Sequence, residues 1–114
     1  MVKFSAQSLD RVFYALSDGT RRDILGRVAK GPIAVTALAE RYRMSLPAVV
    51  KHLGVLSSCG LVKTDKVGRV RTCTLDAAPL KTAGDWIENY REFWEAQFDS
   101  LGAYLDNLED TTHE

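Results

Sequence analysis

Near the middle of the chain stands the segment Tyr42-Arg43-Met44-Ser45-Leu46-Pro47-Ala48-Val49-Val50-Lys51-His52-Leu53. Ser45 is a favourable N-cap residue, and Pro47 falls in the first turn of the helix that follows, where the missing N–H of proline costs no hydrogen bond. Apolar residues then repeat at i, i+4 and i+7, as on one buried face of a helix: Val49, Leu53 and Leu56. Leu46, Val50, Lys51 and Gly54 face another way. The segment therefore predicts a helix that runs to about Ser58 and is stopped by Gly60.

Upstream of Ser45 the sequence predicts three more helices. The nearest is short, with Thr36 as its cap and residues 37–42 as its body, so the turn Tyr42-Arg43-Met44-Ser45 joins two short helices. A first helix over Ala6–Leu16 has one apolar face: Leu9, Val12, Phe13 and Leu16. A second helix is capped by Asp18 and ends before Gly31-Pro32. Its predicted buried residues are Ile24, Leu25 and Val28, and its predicted exposed residues are Arg21, Arg22 and Arg27.

Downstream of Gly60 the helical period gives way to β-branched residues around a central glycine. Residues 62–66 and 70–75 predict two strands, and Val67-Gly68-Arg69 predicts the tip between them. A lone hairpin is marginal in water, so this one must pack against the helices. From Pro79 to about Leu108 the pattern is helical without interruption, and Thr111–Glu114 is predicted to be a frayed end.

Two short helices joined by a four-residue turn and followed by a hairpin with a basic tip predict a winged helix-turn-helix, a mainly α fold with a two-stranded β-hairpin wing. In this motif the second helix of the pair enters the major groove of DNA by its N-terminal end, and the hairpin reaches phosphates or a minor groove. The residues expected to contact DNA from the helix are Ser45, Leu46, Pro47, Val50, Lys51 and His52. Those on and near the hairpin are Lys63, Lys66, Arg69 and Arg71. The alternative is a small helical bundle whose basic residues form a solvated face.

Charge is divided unequally along the chain, although 15 Lys and Arg balance 15 Asp and Glu. Residues 1–75 hold 13 basic and 5 acidic side chains, a net charge of +8. Residues 76–114 hold 2 basic and 10 acidic side chains, a net charge of −8. Because the positive part coincides with the predicted helix pair and hairpin, this asymmetry favours a nucleic-acid partner.

Aromatic and apolar residues recur along the predicted C-terminal helix at steps of three and four. The stripe consists of Trp86, Tyr90, Phe93, Gln97, Leu101, Tyr104 and Leu108, and it is widened by Ile87, Trp94, Phe98 and Leu105. This is more one-sided apolar surface than a monomer needs, so we predict a homodimer seam with Phe13 and Leu16 of the first helix as its second wall. The opposite side carries acidic residues: Asp85, Glu88, Glu92, Glu95, Asp99 and Asp106. The competing hypothesis is a protein-interaction module that uses the aromatic face and does not bind DNA.

Length and composition predict one soluble domain over residues 1–114. Residues 18–75 would form its DNA-binding core, and residues 6–16 and 79–108 its dimerisation helices. With 46% hydrophobic and 26% charged residues, the composition is that of a globular protein. No apolar run approaches the ~20 residues of a membrane span and the first residues lack a signal-peptide core, so we expect a cytoplasmic protein with no membrane partner.

Four segments carry a family resemblance: residues 15–25 (ALSDGTRRDIL), 35–39 (VTALA), 45–53 (SLPAVVKHL) and 59–62 (CGLV). They resemble the ArsR/SmtB family of bacterial winged-helix repressors, and the resemblance covers nearly the whole chain. It implies a homodimer that binds a palindromic operator in double-stranded DNA and leaves it when an inducer binds. It also implies that Ser45, Leu46, Pro47, Val50, Lys51 and His52 lie on the family's DNA-contacting helix, and Arg69 and Arg71 on its wing.

Three positions depart from the family's pattern. Gly19 stands where the family usually has Pro, which loosens the start of a helix slightly. Leu46 and Val50 stand where polar residues such as Gln and Ser are common, so contact with thymine methyl groups is expected to replace hydrogen-bonded readout. For His52, the alternative to a DNA contact is a position packed between helices or bonded to a backbone carbonyl.

The ligands that metal sensors of this family use are missing from the sequence. Residues 37–42 lack closely spaced cysteines, and the C-terminal helix has no histidine pair at ligand spacing, so we expect neither a metal nor another cofactor. Cys59 and Cys73 are too few for a disulfide framework. Cys59 ends a helix and Cys73 is predicted to pack inward, so neither has the electropositive environment of a sensor thiol. An unknown small-molecule inducer stays open.

Catalysis has no support in the sequence. No nucleophile elbow, phosphate-binding glycine loop or pair of carboxylates on a cleft is present, and a mainly helical chain of this length leaves little room for a substrate pocket. We therefore expect that the protein is not an enzyme.

Overall fold

The structure, a computed structural model, describes the backbone of residues 6–112 and the side chains of residues 6–109. The elements in chain order are α1 (Ala6–Leu16), α2 (Gly19–Val28), β1 (Ile33–Ala34), α3 (Val35–Ala39), α4 (Leu46–Ser58), β2 (Val62–Val67), β3 (Val70–Leu75), α5 (Ala78–Glu88) and α6 (Arg91–Thr112). The described residues divide into two compact units, with the boundary between Ala83 and Gly84, and the prediction of one domain stays a prediction. Within residues 6–112, no helix has both the length and the apolar composition of a membrane span.

The first unit contains the predicted helices around one hydrophobic core. α1 has the predicted bounds, and α2 and α4 begin directly after their predicted caps, Asp18 and Ser45. The largest fully buried side chains come from three helices, the turn after α4 and the hairpin: Ile24, Val28, Leu38, Val49, Leu56, Leu61 and Cys73. α4 ends as predicted, because Gly60 takes a φ of +80° and Leu61 turns into the core with its N–H bonded to the carbonyl of Leu56 at 3.0 Å.

The prediction that Arg21 is exposed is wrong, since only 7% of the residue is accessible. Arg21 precedes Ile24 and Leu25 by one helical turn and Val28 by two, so it lies on the buried face of α2. Its guanidinium is not left unpaired there: Nε donates to the carbonyl of Ala15 at 2.8 Å, and Nη2 donates to that of Tyr14 at 3.1 Å. These are end carbonyls of α1, which have no partner within their own helix. Burial of this charge is therefore compensated by hydrogen bonds.

The sheet has three strands rather than the two predicted. Its order is β1-β3-β2, both pairs are antiparallel, and Ile33 of β1 stands opposite Cys73 of β3. This short strand also corrects the start of α3. The helix begins at Val35 with Ala34 as its cap, not at Thr36, because the chain leaves the sheet directly into the helix. α3 ends at Ala39, and residues 40–42 continue as turns, not as the predicted helix.

The hairpin tip is tighter than predicted. Val67 pairs with Val70, so only Gly68 and Arg69 form the turn. Gly68 has a φ of +63° while Arg69 does not have a positive φ. Two-residue hairpin turns with this pattern match the twist of the strands and favour glycine at the first position.

The C-terminal region is two helices, so the prediction of one continuous helix is wrong. α5 ends at Glu88 and α6 starts at Arg91, with Asn89 and Tyr90 in between. The N–H groups of Asn89 and Tyr90 bond carbonyls three residues back, at 3.2 and 2.9 Å, which tightens the last turn of α5. Asparagine favours such ends because its side chain competes for backbone hydrogen bonds. α6 also runs past Leu108 to Thr112, while His113, Glu114 and Met1–Ser5 lie outside the described residues.

Candidate DNA-binding surface

α4 presents one buried and one exposed face, and its first turn is fixed by a cap. The Oγ atom of Ser45 accepts a hydrogen bond from the backbone N–H of Ala48 at 3.2 Å. Val49 and Leu53 face the core, whereas Val50 and Lys51 between them point to solvent. The predicted contact residues that are exposed on this helix are Ser45, Leu46, Pro47, Val50 and Lys51.

The hairpin carries the predicted basic residues on its exposed part. Lys66, Arg69 and Arg71 are all exposed, with Arg69 in the two-residue turn. Lys63, the second residue of β2, is exposed as well. The wing is held by the long ladder between β2 and β3 and by the core residues Val62 and Cys73 at its base.

The first turn of α4 and the wing face each other across a groove, which we call the wing groove. It has a volume of about 220 Å³ and is lined by Val35, Thr36, Leu46, Val50, Arg69, Val70 and Arg71. A second cavity of about 440 Å³ continues along α4 toward the base of the hairpin, and the two share Val35, Val50 and Arg71. The wing groove thus brings together four of the residues that the sequence predicts as DNA contacts, Leu46 and Val50 of α4 and Arg69 and Arg71 of the wing.

Nine basic side chains among the described residues of this unit are exposed and have no hydrogen bond or ion pair with another described residue. Two of them are Arg11 of α1 and Lys30 after α2, and the other seven lie on the helix-turn-helix and the hairpin: Arg41, Arg43, Lys51, Lys63, Lys66, Arg69 and Arg71. Other arginines of the unit are used internally. Arg22 donates to the carbonyl of Leu16 at 2.7 Å, and Arg27 pairs with Asp23 at 2.9 Å. The positive charge that remains available to phosphates is therefore concentrated on the helix-turn-helix and the wing.

His52 differs from the other predicted contact residues because it is half-buried, with 23% of its side chain exposed. Its Nδ1 lies 3.2 Å from Nη1 of Arg21 and 4.0 Å from Oδ2 of Asp18. A guanidinium only donates, so in this contact a neutral His52 ring accepts through Nδ1 and carries its proton on Nε2. The arrangement favours the packed alternative for His52, and a DNA contact through its other nitrogen stays a prediction.

Asp18 joins the same cluster as the cap of α2. Its Oδ2 accepts from the backbone N–H of Arg21 at 3.0 Å. This bond lowers the pKa of the Asp18 carboxyl below its ordinary value, against a smaller effect of burial, and the charge of Arg21 lowers the pKa further. The cap therefore stays ionised and keeps the start of α2 fixed.

The turn of the helix-turn-helix is tied to α2 by a second cluster. The hydroxyl of Tyr42 donates to Oδ2 of Asp23 at 2.6 Å, the same oxygen that accepts from Nε of Arg27. Burial, and next the hydrogen bond to Asp23, raise the pKa of Tyr42 to about 12. The same bond, followed by that from Arg27, lowers the pKa of Asp23. Arg27 also lies 5.7 Å from the centre of the Tyr42 ring, in cation–π geometry. These contacts set where the turn begins, and thereby the position of Ser45.

The residues predicted for the dimer seam fall in both units. Phe13 and Leu16 are half-buried and pack against the core of the first unit. In the second unit, the rings of Trp86 and Tyr90 lie 5.2 Å apart across the junction of α5 and α6. The remaining predicted seam residues are exposed along α6: Phe93, Trp94, Gln97, Leu101, Tyr104 and Leu108.

The cysteines and the potential metal ligands are dispersed. Cys73 is buried as predicted, and burial raises the pKa of its thiol. Cys59 is half-buried, and its thiol donates to the carbonyl of Leu56 at 3.4 Å. Among the described residues, no three His, Cys, Asp or Glu side chains converge as metal ligands would.

The surface has the geometry of a winged helix-turn-helix DNA-binding domain, and comparison with known proteins agrees. A family model described as a helix-turn-helix domain matches residues 16–65. The HTH-type transcriptional regulator Rv2034 of Mycobacterium tuberculosis is 37% identical over 106 residues, which cover 93% of this chain and 96% of that protein. The transcriptional repressor SdpR of Bacillus subtilis is 28% identical over 82 residues, 72% of this chain and 91% of that protein.

Solved structures show the same relationship. An ArsR family transcriptional regulator, RHA00566, has 39% sequence identity and a TM-score of 0.74, covering 83% of this chain and 97% of that one. The homodimeric winged helix-turn-helix DNA-binding domain of Mb0332 from Mycobacterium bovis has 28% identity and a TM-score of 0.61, covering 80% and 93%. The chain therefore belongs to the ArsR/SmtB family of winged helix-turn-helix transcriptional regulators.

Several residues of the surface were not predicted from the sequence. The wing groove is also lined by Val35, Thr36 and Val70. Arg21 contacts α4 through the side chain of His52. For Val70 the signal was present, since a strand that pairs Val67 with Val70 puts two valines on the same face of the tip. For Val35 and Thr36 the sequence contains no such signal, because their position in the groove depends on how β1 pairs with β3.

Proposed function

We propose that this chain is a homodimeric repressor that binds a palindromic operator in duplex DNA. In each protomer the first turn of α4 enters the major groove, and the wing contacts the adjacent backbone or minor groove. The observation that carries the proposal is the wing groove, which sets the exposed residues Leu46 and Val50 opposite Arg69 and Arg71. Such a regulator acts on the chromosome in the bacterial cytoplasm, and we expect it to have no catalytic activity.

The proposed DNA contacts divide into two kinds. Leu46, Pro47 and Val50 would touch base edges, while Lys51, Lys66, Arg69 and Arg71 would contact phosphates or the minor groove. Ser45 would hold the helix end and present its hydroxyl at the same place. This assignment is supported by the exposure of all these residues and by the absence of hydrogen-bond or ion-pair partners for the four cations among the described residues.

The homodimer is supported by the exposed aromatic face of α6 and by the homodimeric state of the related domain of Mb0332. An exposed apolar face of this extent marks an interaction site in a soluble protein. Repression is supported by the relationship to the repressor SdpR. The inducer, if the protein uses one, is not specified by any described residue, and among those residues no three His, Cys, Asp or Glu side chains converge as metal ligands.

DNA binding is tested with the protein's own promoter region by fluorescence anisotropy at several salt concentrations, followed by footprinting. A repressor of this kind binds specifically, protects two symmetric half-sites and loses affinity steeply as salt rises, with each phosphate contact adding about −0.9 to the slope of log affinity against log salt. Affinity that is absent, or indifferent to sequence and salt, would overturn the proposal.

A further inference from the structure

Exposed aliphatic side chains are concentrated on the DNA-facing part of the first unit. Among its described residues, the large hydrophobic side chains that are exposed are Tyr14, Leu46, Val50, Val67 and Val70. Four of these five lie in the first turns of α4 or at the wing tip, and Tyr14 is covered on one ring face by Arg21, 5.1 Å away. Apolar surface in this unit is thus left open mainly where the protein is to meet DNA.

Three of these side chains share one groove. Leu46 is 47% exposed and Val50, one helical turn further, is 37% exposed, while Val70 reaches the same groove from β3 with 51% exposure. None of the three has a hydrogen-bonding group, so they cannot pair with the donors and acceptors of base edges. Their contribution to recognition must be apolar contact.

The positive charge around the wing groove favours a polyanion as the molecule that binds there. Arg69 and Arg71 line the wing groove, and Lys51 follows Val50 on the exposed face of α4. The occupant must therefore carry phosphate charge and also present an apolar group next to the first turns of α4. In the major groove of DNA the C5-methyl group of thymine is the apolar group that a base pair presents.

We propose that Leu46 and Val50 recognise thymine methyl groups, so that each operator half-site is specified by T·A pairs opposite the first turns of α4. The inference rests on the proposed function and goes further by naming the base and the chemical group that are read. It gives these residues a role in specificity, while Lys51 and Arg69 supply affinity that is independent of sequence.

The test replaces thymine by deoxyuridine within the footprinted operator, one position at a time. This exchange deletes the methyl group and leaves all hydrogen-bonding groups of the base pair in place. Each contacted thymine should then lose about fourfold in affinity, the value for one buried methyl group. The same exchange at thymines outside the footprint should change nothing.

Protein variants assign the effect to side chains. Leu46→Ala and Val50→Ala remove exposed atoms and keep good helix formers, so both should fold. Each should reduce the thymine-to-deoxyuridine affinity ratio at one position per half-site from about four to about one. Lys51→Ala is the matched control, because loss of a phosphate contact should weaken both duplexes equally and leave the ratio unchanged.

The outcomes separate the two proposals. Specific binding that is the same for thymine and deoxyuridine duplexes overturns this inference and leaves the proposed function intact. A methyl effect that persists in both Leu46→Ala and Val50→Ala also overturns it, since the effect would then arise elsewhere. Absence of any specific binding overturns the proposed function itself. A ratio that falls only in the two α4 variants supports the inference.

Discussion

Nη1 of Arg21 lies 3.2 Å from Nδ1 of His52, and this contact connects α2 to the helix that is proposed to enter the major groove. The same guanidinium donates to Ala15 and Tyr14 at the end of α1. One buried cation therefore joins three helices, α1, α2 and α4. Since α1 is also predicted to contribute to the dimer seam, this cluster links the seam side of the first unit to its DNA-contacting side.

Arg21→Met should destabilise the protein by about 2–4 kcal/mol. The change keeps much of the apolar stem but removes the donor to the carbonyl of Ala15, and leaving a buried polar group unsatisfied is costly. The carbonyl of Tyr14 keeps its hydrogen bonds from Ser17. Denaturant titration measures the free energy of unfolding. Arg22→Met is the matched control, because Arg22 is exposed and makes one bond, to Leu16, so its loss should cost less than about 1 kcal/mol. Equal costs for the two variants would contradict the role assigned to Arg21.

Arg21 also shows where sequence reasoning succeeds and fails. The periodicity of α2 contained the correct answer, because position 21 falls on the stripe of Ile24, Leu25 and Val28, but the charge of arginine outweighed the spacing. At Asn89 and Tyr90 the spacing itself was misleading. The apolar residues keep a helical spacing there, although α5 ends at Glu88 and α6 starts at Arg91. Periodicity fixes which residues share a face and is insensitive to a short break.

The candidate site was predictable in its local parts. The cap at Ser45, the exposed residues of α4 and the hairpin follow from local spacing and turn chemistry. The wing groove was not, because it depends on how the hairpin packs against α4 and on β1, a strand of two residues that exists only through its pairing with β3. Tertiary contacts of this kind leave no periodic signal in a short segment.

Lys51→Ala and Arg69→Ala should weaken operator binding without affecting stability. Both side chains are exposed and have no hydrogen-bond or ion-pair partner among the described residues, so the free energy of unfolding should change by less than about 0.5 kcal/mol. If each contacts one phosphate per protomer, the slope of log affinity against log salt should become shallower by about 0.9 for each lost contact.

The control for this pair is Lys81→Ala, which removes a cation from α5, outside the surface of α4 and the wing. It should leave both the affinity and the salt slope unchanged. A large drop in melting temperature for Lys51→Ala or Arg69→Ala would mean that these side chains stabilise the fold, and the assignment to DNA would be wrong.

Tyr42→Phe should show a pH-dependent loss of stability. The pKa of Tyr42 is raised to about 12 in the folded protein, whereas an unfolded tyrosine ionises near pH 10. As the pH rises from about 10 to about 12, the unfolded chain releases a proton that the folded chain keeps, so the contribution of Tyr42 to the free energy of unfolding falls. Below pH 10 this contribution is fully present. The difference between wild type and variant should thus be constant from pH 7 to 9 and shrink above pH 10.

The same pair of proteins should converge in acid. The hydrogen bond from Tyr42 is the largest cause of the lowered pKa of Asp23, so its contribution is present above the ordinary carboxyl pKa of about 4 and is lost as the pH falls through the folded value. Urea titrations of both proteins at each pH measure the difference and cancel the groups that titrate in common. A difference that stays constant from pH 2 to 12 would show that the Tyr42–Asp23 bond does not stabilise the fold.

Phe93→Asp or Leu101→Asp should convert the dimer to monomers and weaken operator binding strongly. Both side chains are exposed on the aromatic face of α6, so a carboxylate there costs little in a monomer but would be buried without a partner in the proposed seam. Sedimentation measures the state of assembly. Ala103→Asp is the matched control: it lies four residues from Asp99 and three from Asp106, on the acidic side of the helix, and should remain dimeric. A Phe93→Asp protein that still sediments as a dimer would place the interface elsewhere. Monomers that bind the full operator as tightly as wild type would show that the two half-sites are read independently.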